Sequence, residues 1–209
     1  NENEQATTSI NRVTLRDVIN NTYENKTLDL RYNGGEDFFG PLLPVAERID
    51  AATKGWGLSY ADLQPETPRT PAGISFLLTN ACYAIAGLLL TLHGEVVLGT
   101  CTEIASIASF IYHYTQLEFG QNRNEVRLAL LIDYIVAGVA LIVGAIYLIQ
   151  IAEVQSIPWD CIVWGVLSIV ALSLSWVWEF GVPYLVWHSV WHVLSAYTGY
   201  LIGQGHLDL

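Results

Sequence analysis

Arg127 is the last basic residue of the 209-residue chain, so the 82 residues that follow it contain neither lysine nor arginine. Over the whole chain 52% of the residues are hydrophobic and 14% are charged, whereas ordinary soluble domains have about 25% charged residues. A membrane-spanning helix needs about 20 mainly apolar residues, and residues 73–209 contain several such stretches. These features predict an all-α, polytopic membrane helix bundle and exclude a soluble enzyme. A net charge of −11 without a basic patch excludes a nucleic-acid-binding protein, because such a chain repels phosphate.

Hydropathy divides the chain into a polar, acidic arm outside the membrane, residues 1–72, and a transmembrane helical domain, residues 73–209. Five spans are predicted in the second part, with a tight hairpin at Gly94-Glu95 between the first two. Pro158 stands at the first turn of the fourth span, where proline is favoured. The predicted spans are residues 73–93, 95–116, 127–149, 158–178 and 182–203.

The arm contains more apolar and aromatic side chains than a solvated linker normally has. We therefore expect an extended arm that lies over the membrane domain or over a partner subunit; a freely moving tail is the alternative. Short helices are predicted near Thr14–Asn20 and at Pro44–Lys54, the second with Gly55 as its C-cap. The large apolar residues of the arm are Phe38, Phe39, Leu42, Leu43, Trp56 and Tyr60.

The one-sided distribution of basic residues predicts the topology. Five spans place the arm and the 117–126 loop on one side of the membrane and the C-terminus on the other, with every lysine and arginine on the side of the arm or at its edge. The positive-inside rule then places the N-terminus in the cytoplasm, stroma or matrix. Two sequons, Asn20-Asn21-Thr22 and Asn25-Lys26-Thr27, favour the opposite orientation, but the charge asymmetry is the stronger signal.

The chain contains no methionine, so residue 1 is not an initiator. We expect a trimmed chain, as organelle import or secretion would produce. Import favours an organellar membrane, either the thylakoid membrane or the mitochondrial inner membrane.

Ionisable side chains inside predicted spans indicate a functional site. Ser109 and His113 lie four residues apart near the end of the second span, and His188 and His192 have the same spacing in the fifth, so each pair shares one helix face. Asp133 lies one to two turns inside the third span. The predicted topology puts all five residues toward the side of the arm. Three histidines at one depth, with a carboxylate nearby, favour a zinc site that leaves one position open for water.

Other interpretations of these residues remain open. Each histidine could simply be hydrogen-bonded between helices, and Asp133 could pair with Arg127 or with a helix N-terminus. Axial ligation of a pigment or haem is the less favoured cofactor prediction, because no CxxCH or paired-helix histidine pattern supports it. Glu103, within the second span, could line the interior or pair with a hydroxyl group. No specific role is expected for His206.

The order Ser-x3-His, then Asp in the next span, then His-x3-His in the last span resembles the CREST superfamily, which includes alkaline ceramidases, progestin/adiponectin-type receptors and myomaker-like proteins. The segment from Val186 to Ala196, VWHSVWHVLSA, resembles the final helix of that family. The resemblance covers residues 95–203. It implies that His113, His188 and His192 hold zinc, that Asp133 orients or deprotonates the metal-bound water, and that Ser109 supports the site. Members of the family usually have seven spans, so this chain looks like a shortened version with fewer helices to enclose a lipid substrate.

Two functions follow as hypotheses. The favoured one is an accessory subunit of a large photosynthetic or respiratory membrane complex, built on a CREST-like scaffold with a retained zinc site. Membrane lipids and, through the arm, other subunits would be its partners. The alternative is a zinc-dependent hydrolase of a lipid amide or ester, in which Asp133 and Ser109 would be catalytic. A ligand-binding receptor has no support beyond the resemblance.

Overall fold

The computed structural model describes residues 39–58, 70–120, 123–156, 158–178 and 181–209. All regular structure within these ranges is helical, which confirms the predicted all-α class for this part of the chain. The predicted helix near Thr14–Asn20 and both sequons lie outside the described residues. Single 3₁₀ turns occur at Gly40–Leu42 and Trp56–Leu58, and the α-helices are α1 Leu43–Thr53, α2 Pro71–Thr79, α3 Ala81–His93, α4 Val96–Phe119, α5 Asn124–Val154, α6 Trp159–Val177 and α7 Gly181–Leu207.

Four helical segments of the described ranges are long and apolar enough to cross a membrane. The helices α2 and α3 together form the first segment, and α4, α5 and α6 are the other three. Each overlaps a predicted span, so the architecture is that of a multi-pass membrane protein. The fifth predicted span, residues 182–203, corresponds to α7. This helix has 27 residues, but it is not one of the four apolar segments, because its histidines, hydroxyl groups and Gln204 lower its hydropathy. The fifth span therefore stays a prediction.

The position of α7 explains why it tolerates so many polar side chains. It packs against α2, α3, α4, α5 and α6, so it is the central helix of the bundle. His188, His192 and Ala196 repeat at four-residue intervals along one face and are buried. A helix enclosed by other helices can hydrogen-bond its polar groups to them, whereas a lipid-facing helix cannot.

The first span is interrupted at Asn80, between α2 and α3. The Asn80 side chain donates a hydrogen bond to the carbonyl of Leu77 (3.1 Å), and the Ser106 hydroxyl of α4 donates one to the carbonyl of Asn80 (2.9 Å). A side chain that competes with the helical backbone bonds is a recognised cause of a kink. Phe76 of α2 is buried and lies at the site described below.

Residues 39–58 form a cap that packs on one end of the bundle. Phe39, Ala46 and Leu58 are at most 2% exposed and belong to the same apolar core as residues of α2, α4, α5 and α7. The Tyr134 hydroxyl of α5 donates to the carbonyl of Gly57 (2.9 Å). This part of the arm therefore lies on the membrane domain, which is one of the two contacts expected from its apolar residues.

The cap contains the helix predicted at Pro44–Lys54. In the structure α1 runs from Leu43 to Thr53, and Lys54 and Gly55 follow with φ of 53° and 82°. The N–H of Gly55 donates to the carbonyl of Asp50 (2.8 Å), which closes the helix as a glycine C-cap does. Burial raises the pKa of the Asp50 carboxyl, and the nearby Arg127 guanidinium partly opposes that rise.

The opposite end of the bundle is held by a polar cluster around Glu95, at the α3–α4 hairpin. The Glu95 carboxylate pairs with Nδ1 of His206 (2.7 Å) and accepts a hydrogen bond from the Tyr147 hydroxyl (2.9 Å). It also accepts from the N–H of Leu98 (3.4 Å) at the start of α4. The cluster joins α4, α5 and α7, so the expectation that His206 has no specific role is replaced by a structural one.

The Glu95 cluster predicts a pH-dependent stability. Burial raises the pKa of the Glu95 carboxyl, but the bonds from His206, Tyr147 and Leu98 outweigh it and hold this pKa below its ordinary value of 4.5. A lowered pKa stabilises the fold fully above the ordinary value, and the contribution disappears as the pH falls through the folded value. We expect Glu95→Gln to lower the free energy of unfolding by about 1–2 kcal/mol at pH 7.

Thermal unfolding of the wild type and of Glu95→Gln in detergent, at pH 7 and at pH 3, measures this effect. The difference in melting temperature between the wild type and Glu95→Gln should be smaller at pH 3 than at pH 7. Glu153→Gln removes a carboxylate from the exposed end of α5 and should behave like the wild type at both values. An equal difference at pH 7 and pH 3 would show that the Glu95 carboxylate contributes nothing through its charge.

Candidate metal centre

His113 of α4 and His188 and His192 of α7 meet in the interior of the bundle. They are 0%, 5% and 1% exposed, and one nitrogen from each lies within 4.8 Å of the other two. The ring centroids are 4.8–5.0 Å apart. The sequence spacing predicted this convergence, and the structure places the three predicted ligands together.

The Nδ1 atom of each ring is hydrogen-bonded to a polar side chain outside the cluster. Nδ1 of His113 lies 3.1 Å from Oε1 of Gln116, which is an acceptor, so this Nδ1 carries a proton. Gln116 therefore fixes the tautomer of His113 and leaves Nε2 as the nitrogen with the free lone pair. That Nε2 is buried and has no hydrogen-bond partner.

The same reasoning fixes the tautomers of the other two rings. The Thr79 hydroxyl donates to the carbonyl of Phe76 (2.6 Å), so it accepts from Nδ1 of His192 (2.8 Å). The Ser175 hydroxyl donates to the carbonyl of Leu172 (2.7 Å), so it accepts from Nδ1 of His188 (3.2 Å). A hydroxyl group has one proton to donate, and in both cases the backbone carbonyl takes it.

This hydrogen-bond network suits metal binding. Three neutral imidazoles, each with Nδ1–H bonded outward, offer three Nε2 lone pairs, and outer partners of this kind orient histidine ligands in metal sites. Zinc–nitrogen bonds of about 2.0–2.1 Å place tetrahedral ligand atoms about 3.4 Å apart. Nitrogens within 4.8 Å of one another reach that spacing when each ring moves by about 0.8 Å or less. The residues therefore fit a zinc ion held by three nitrogens, with one position left over.

Aromatic rings enclose the cluster. Phe76 of α2 contacts all three imidazoles, with centroid distances of 4.7 Å to His113, 5.9 Å to His188 and 5.6 Å to His192. Tyr184 lies 5.0 Å from His188. Apolar surroundings strengthen the interaction of a cation with its ligands and keep bulk water away.

Asp133 and Ser109 hold different positions relative to this cluster. Asp133 is half-buried on α5, and the metal-capable group of the described residues consists of the three histidines without it. Its carboxylate is close enough to the Tyr83 hydroxyl to interact with it electrostatically, and the Tyr83 ring packs against His192 (5.6 Å). Ser109 is buried one turn before His113. Their catalytic roles remain predictions.

The sequence analysis missed the side chains that support the ligands. Thr79, Gln116 and Ser175 are hydroxyl or amide residues of kinds that occur throughout apolar helices, and Phe76 is one apolar residue among many. Only the three-residue spacing of His113 and Gln116 gave a local signal, because residues i and i+3 share a helix face. The other contacts depend on helix packing.

Comparison of the chain with protein-family models, with curated proteins and with solved structures finds no match.

Proposed function

We propose that this chain is an accessory subunit of a larger organellar membrane complex, photosynthetic or respiratory, in which the three-histidine centre holds a zinc ion. The observation that carries the metal assignment is the convergence of three buried histidines whose Nδ1 atoms are hydrogen-bonded outward to Gln116, Thr79 and Ser175. Three lone pairs packed together in an apolar interior repel one another, and a cation between them removes that repulsion. The ion links α4 to α7.

The role as a subunit is supported by the surface of α5. This helix has 31 residues, which corresponds to about 46 Å and exceeds the hydrocarbon thickness of about 30 Å. In its most apolar stretch only 6% of the residues are buried within the chain, against 22–39% in the other three spans. A helix so long and so little covered by its own chain suits a position among neighbouring subunits and lipids.

Purification from the native membrane in a mild detergent tests both parts of the proposal. We expect elemental analysis to find about one zinc ion per chain, and native gel electrophoresis to find the chain only in a particle much larger than 23.1 kDa. Absence of stoichiometric metal contradicts the zinc assignment. A chain that migrates alone contradicts the subunit role, whatever its metal content.

A zinc-dependent hydrolase of a lipid amide or ester is the second candidate. Three histidine ligands leave a fourth position, as in catalytic rather than structural zinc sites. Ser109 precedes His113 by one turn, and Asp133 lies beyond Tyr83. If this function is correct, the purified chain should hydrolyse a long-chain lipid amide, chelation should stop the reaction, and Asp133→Asn should abolish it while zinc stays bound.

A further inference from the structure

Glu103 lies within the membrane-spanning part of α4 and faces outward at the edge of the α3–α4 seam. The side chain of Glu103 is half-buried and packs over Gly87 of α3. A Cβ atom added at Gly87 would lie 2.7 Å from Cγ of Glu103. The same outer face of α4 contains Thr100, Ile104, Ile107 and Phe110, all exposed. With Glu103 these positions follow the i, i+3, i+4, i+7 pattern, so they form one mainly apolar face around a single carboxyl group.

The Glu103 carboxylate has no hydrogen bond or ion pair with another described residue. A carboxylate at membrane depth is costly, and such groups normally pair with another side chain or mark a functional site. By contrast, the hydroxyl groups of Thr102 and Ser106, which are buried in the same part of α4, donate hydrogen bonds to backbone carbonyls.

The described part of the chain supplies no lysine or arginine at this depth. Glu103 is seven residues from the start of α4, about 10 Å from the hairpin end and about 24 Å from the other end of the helix. Arg48, Lys54, Arg123 and Arg127, which are the lysines and arginines of the described ranges, lie at the end of the bundle that carries the cap. Arg127 is itself buried there, beside Asp50. Residues 128–209 contain no lysine or arginine.

We propose that Glu103 forms an ion pair within the membrane with a lysine or arginine on a transmembrane helix of another subunit, seated on the outer face of α4. This inference rests on the proposed role as a subunit of a larger complex. Charge complementarity selects the partner: a chain with a net charge of −11 and an unpaired carboxylate on an apolar face fits a helix with one basic residue at matching depth. Apolar contact surrounds the pair and excludes water, which strengthens it.

The first experiment compares the assembly of variants expressed in the native membrane. Glu103→Gln should reduce the fraction of the chain in the large complex about tenfold or more, since removing one partner leaves the other charge unpaired in the membrane. The double variant Glu103→Ile with Ile107→Glu shifts the carboxylate by one turn and should lose assembly equally. Glu153→Gln, which removes the same charge from the exposed end of α5, should assemble normally.

The second experiment reports on the carboxyl group directly. Dicyclohexylcarbodiimide is an apolar reagent that modifies carboxyl groups, so Glu103 should be protected by the partner helix in the intact complex and labelled after the complex is dissociated. Zinc content and the melting temperature of dissociated Glu103→Gln should equal those of the wild type, which separates lost assembly from misfolding.

The outcomes distinguish this inference from the proposal on which it rests. If the wild-type chain is in a large complex and Glu103→Gln stays there, or if Glu103 is labelled in the intact complex, the ion pair is wrong and the subunit role stands. If the wild-type chain migrates alone, both are wrong.

Discussion

Replacing His192 by alanine is expected to abolish binding of the proposed zinc ion and to loosen the contact of α7 with α2 and α4. His192 supplies one of three nitrogens, and its Nδ1 is held by Thr79 of α2 (2.8 Å). Two remaining imidazoles should bind zinc at least about a hundredfold more weakly, which corresponds to about 2.7 kcal/mol. Because binding to the folded state alone is folding free energy, the thermal midpoint should fall and should no longer respond to added zinc.

Zinc content and thermal unfolding, with and without a chelator, measure the effect. His93→Ala is the matched control, since His93 is exposed and bonds only to the carbonyl of Leu89 in its own helix (2.7 Å); it should retain metal and stability. Thr79→Val keeps all three ligands but removes the partner of Nδ1 in His192. A 10–100-fold loss of zinc affinity is expected from such a change.

A different result would identify the histidines as hydrogen-bonded packing residues. In that case the wild type contains no stoichiometric metal, chelation leaves its melting temperature unchanged, and His192→Ala is mild. If the His192→Ala variant keeps one zinc ion per chain, the metal is bound by other ligands.

The helices of the membrane domain could be predicted from the sequence because each apolar run is bounded by a local stop signal. Gly94-Glu95 ends one helix and begins the next, and Pro158 is the N-cap residue of α6. The end of the third span was placed at residue 149, whereas α5 continues to Val154. Neither a glycine nor a proline interrupts residues 150–154, so the backbone stays helical beyond the apolar stretch.

The ligands of the candidate metal centre were predictable for a similar reason. His188 and His192 share a face because they are four residues apart, and His113 is at matching depth in an antiparallel sequence of spans. The interruption at Asn80 was not predicted, since the first span was expected to be one continuous helix. Phe76 and Thr79, in the part before the interruption, contact the histidines, and these contacts came only with the three-dimensional structure.

The helices α3 and α4 approach each other closely at Gly87 and Gly99. A Cβ at Gly87 would lie 2.8 Å from the carbonyl oxygen of Gly99 and 3.0 Å from the backbone nitrogen of Glu103; a Cβ at Gly99 would lie 2.9 Å from the carbonyl oxygen of Gly87 and from the backbone nitrogen of Thr91. These are backbone atoms, which cannot move away as a side chain could. Small residues at such crossings let two membrane helices approach closely.

Gly87→Ala and Gly99→Ala are therefore each expected to destabilise the bundle by about 3 kcal/mol, because added carbon in a close-packed contact forces the backbones apart. Both changes should also separate Glu95 from His206, since the α3–α4 hairpin positions that carboxylate.

Gly138→Ala is the matched control. Gly138 is in the interior of α5 with no atom within 4 Å of an added Cβ, so alanine there should be neutral or stabilise the helix by up to about 1 kcal/mol. Thermal unfolding of the three variants in one detergent compares them directly. Equal midpoints for Gly87→Ala and Gly138→Ala would mean that α3 and α4 are not in backbone contact, and the packing described for this hairpin would then be incorrect.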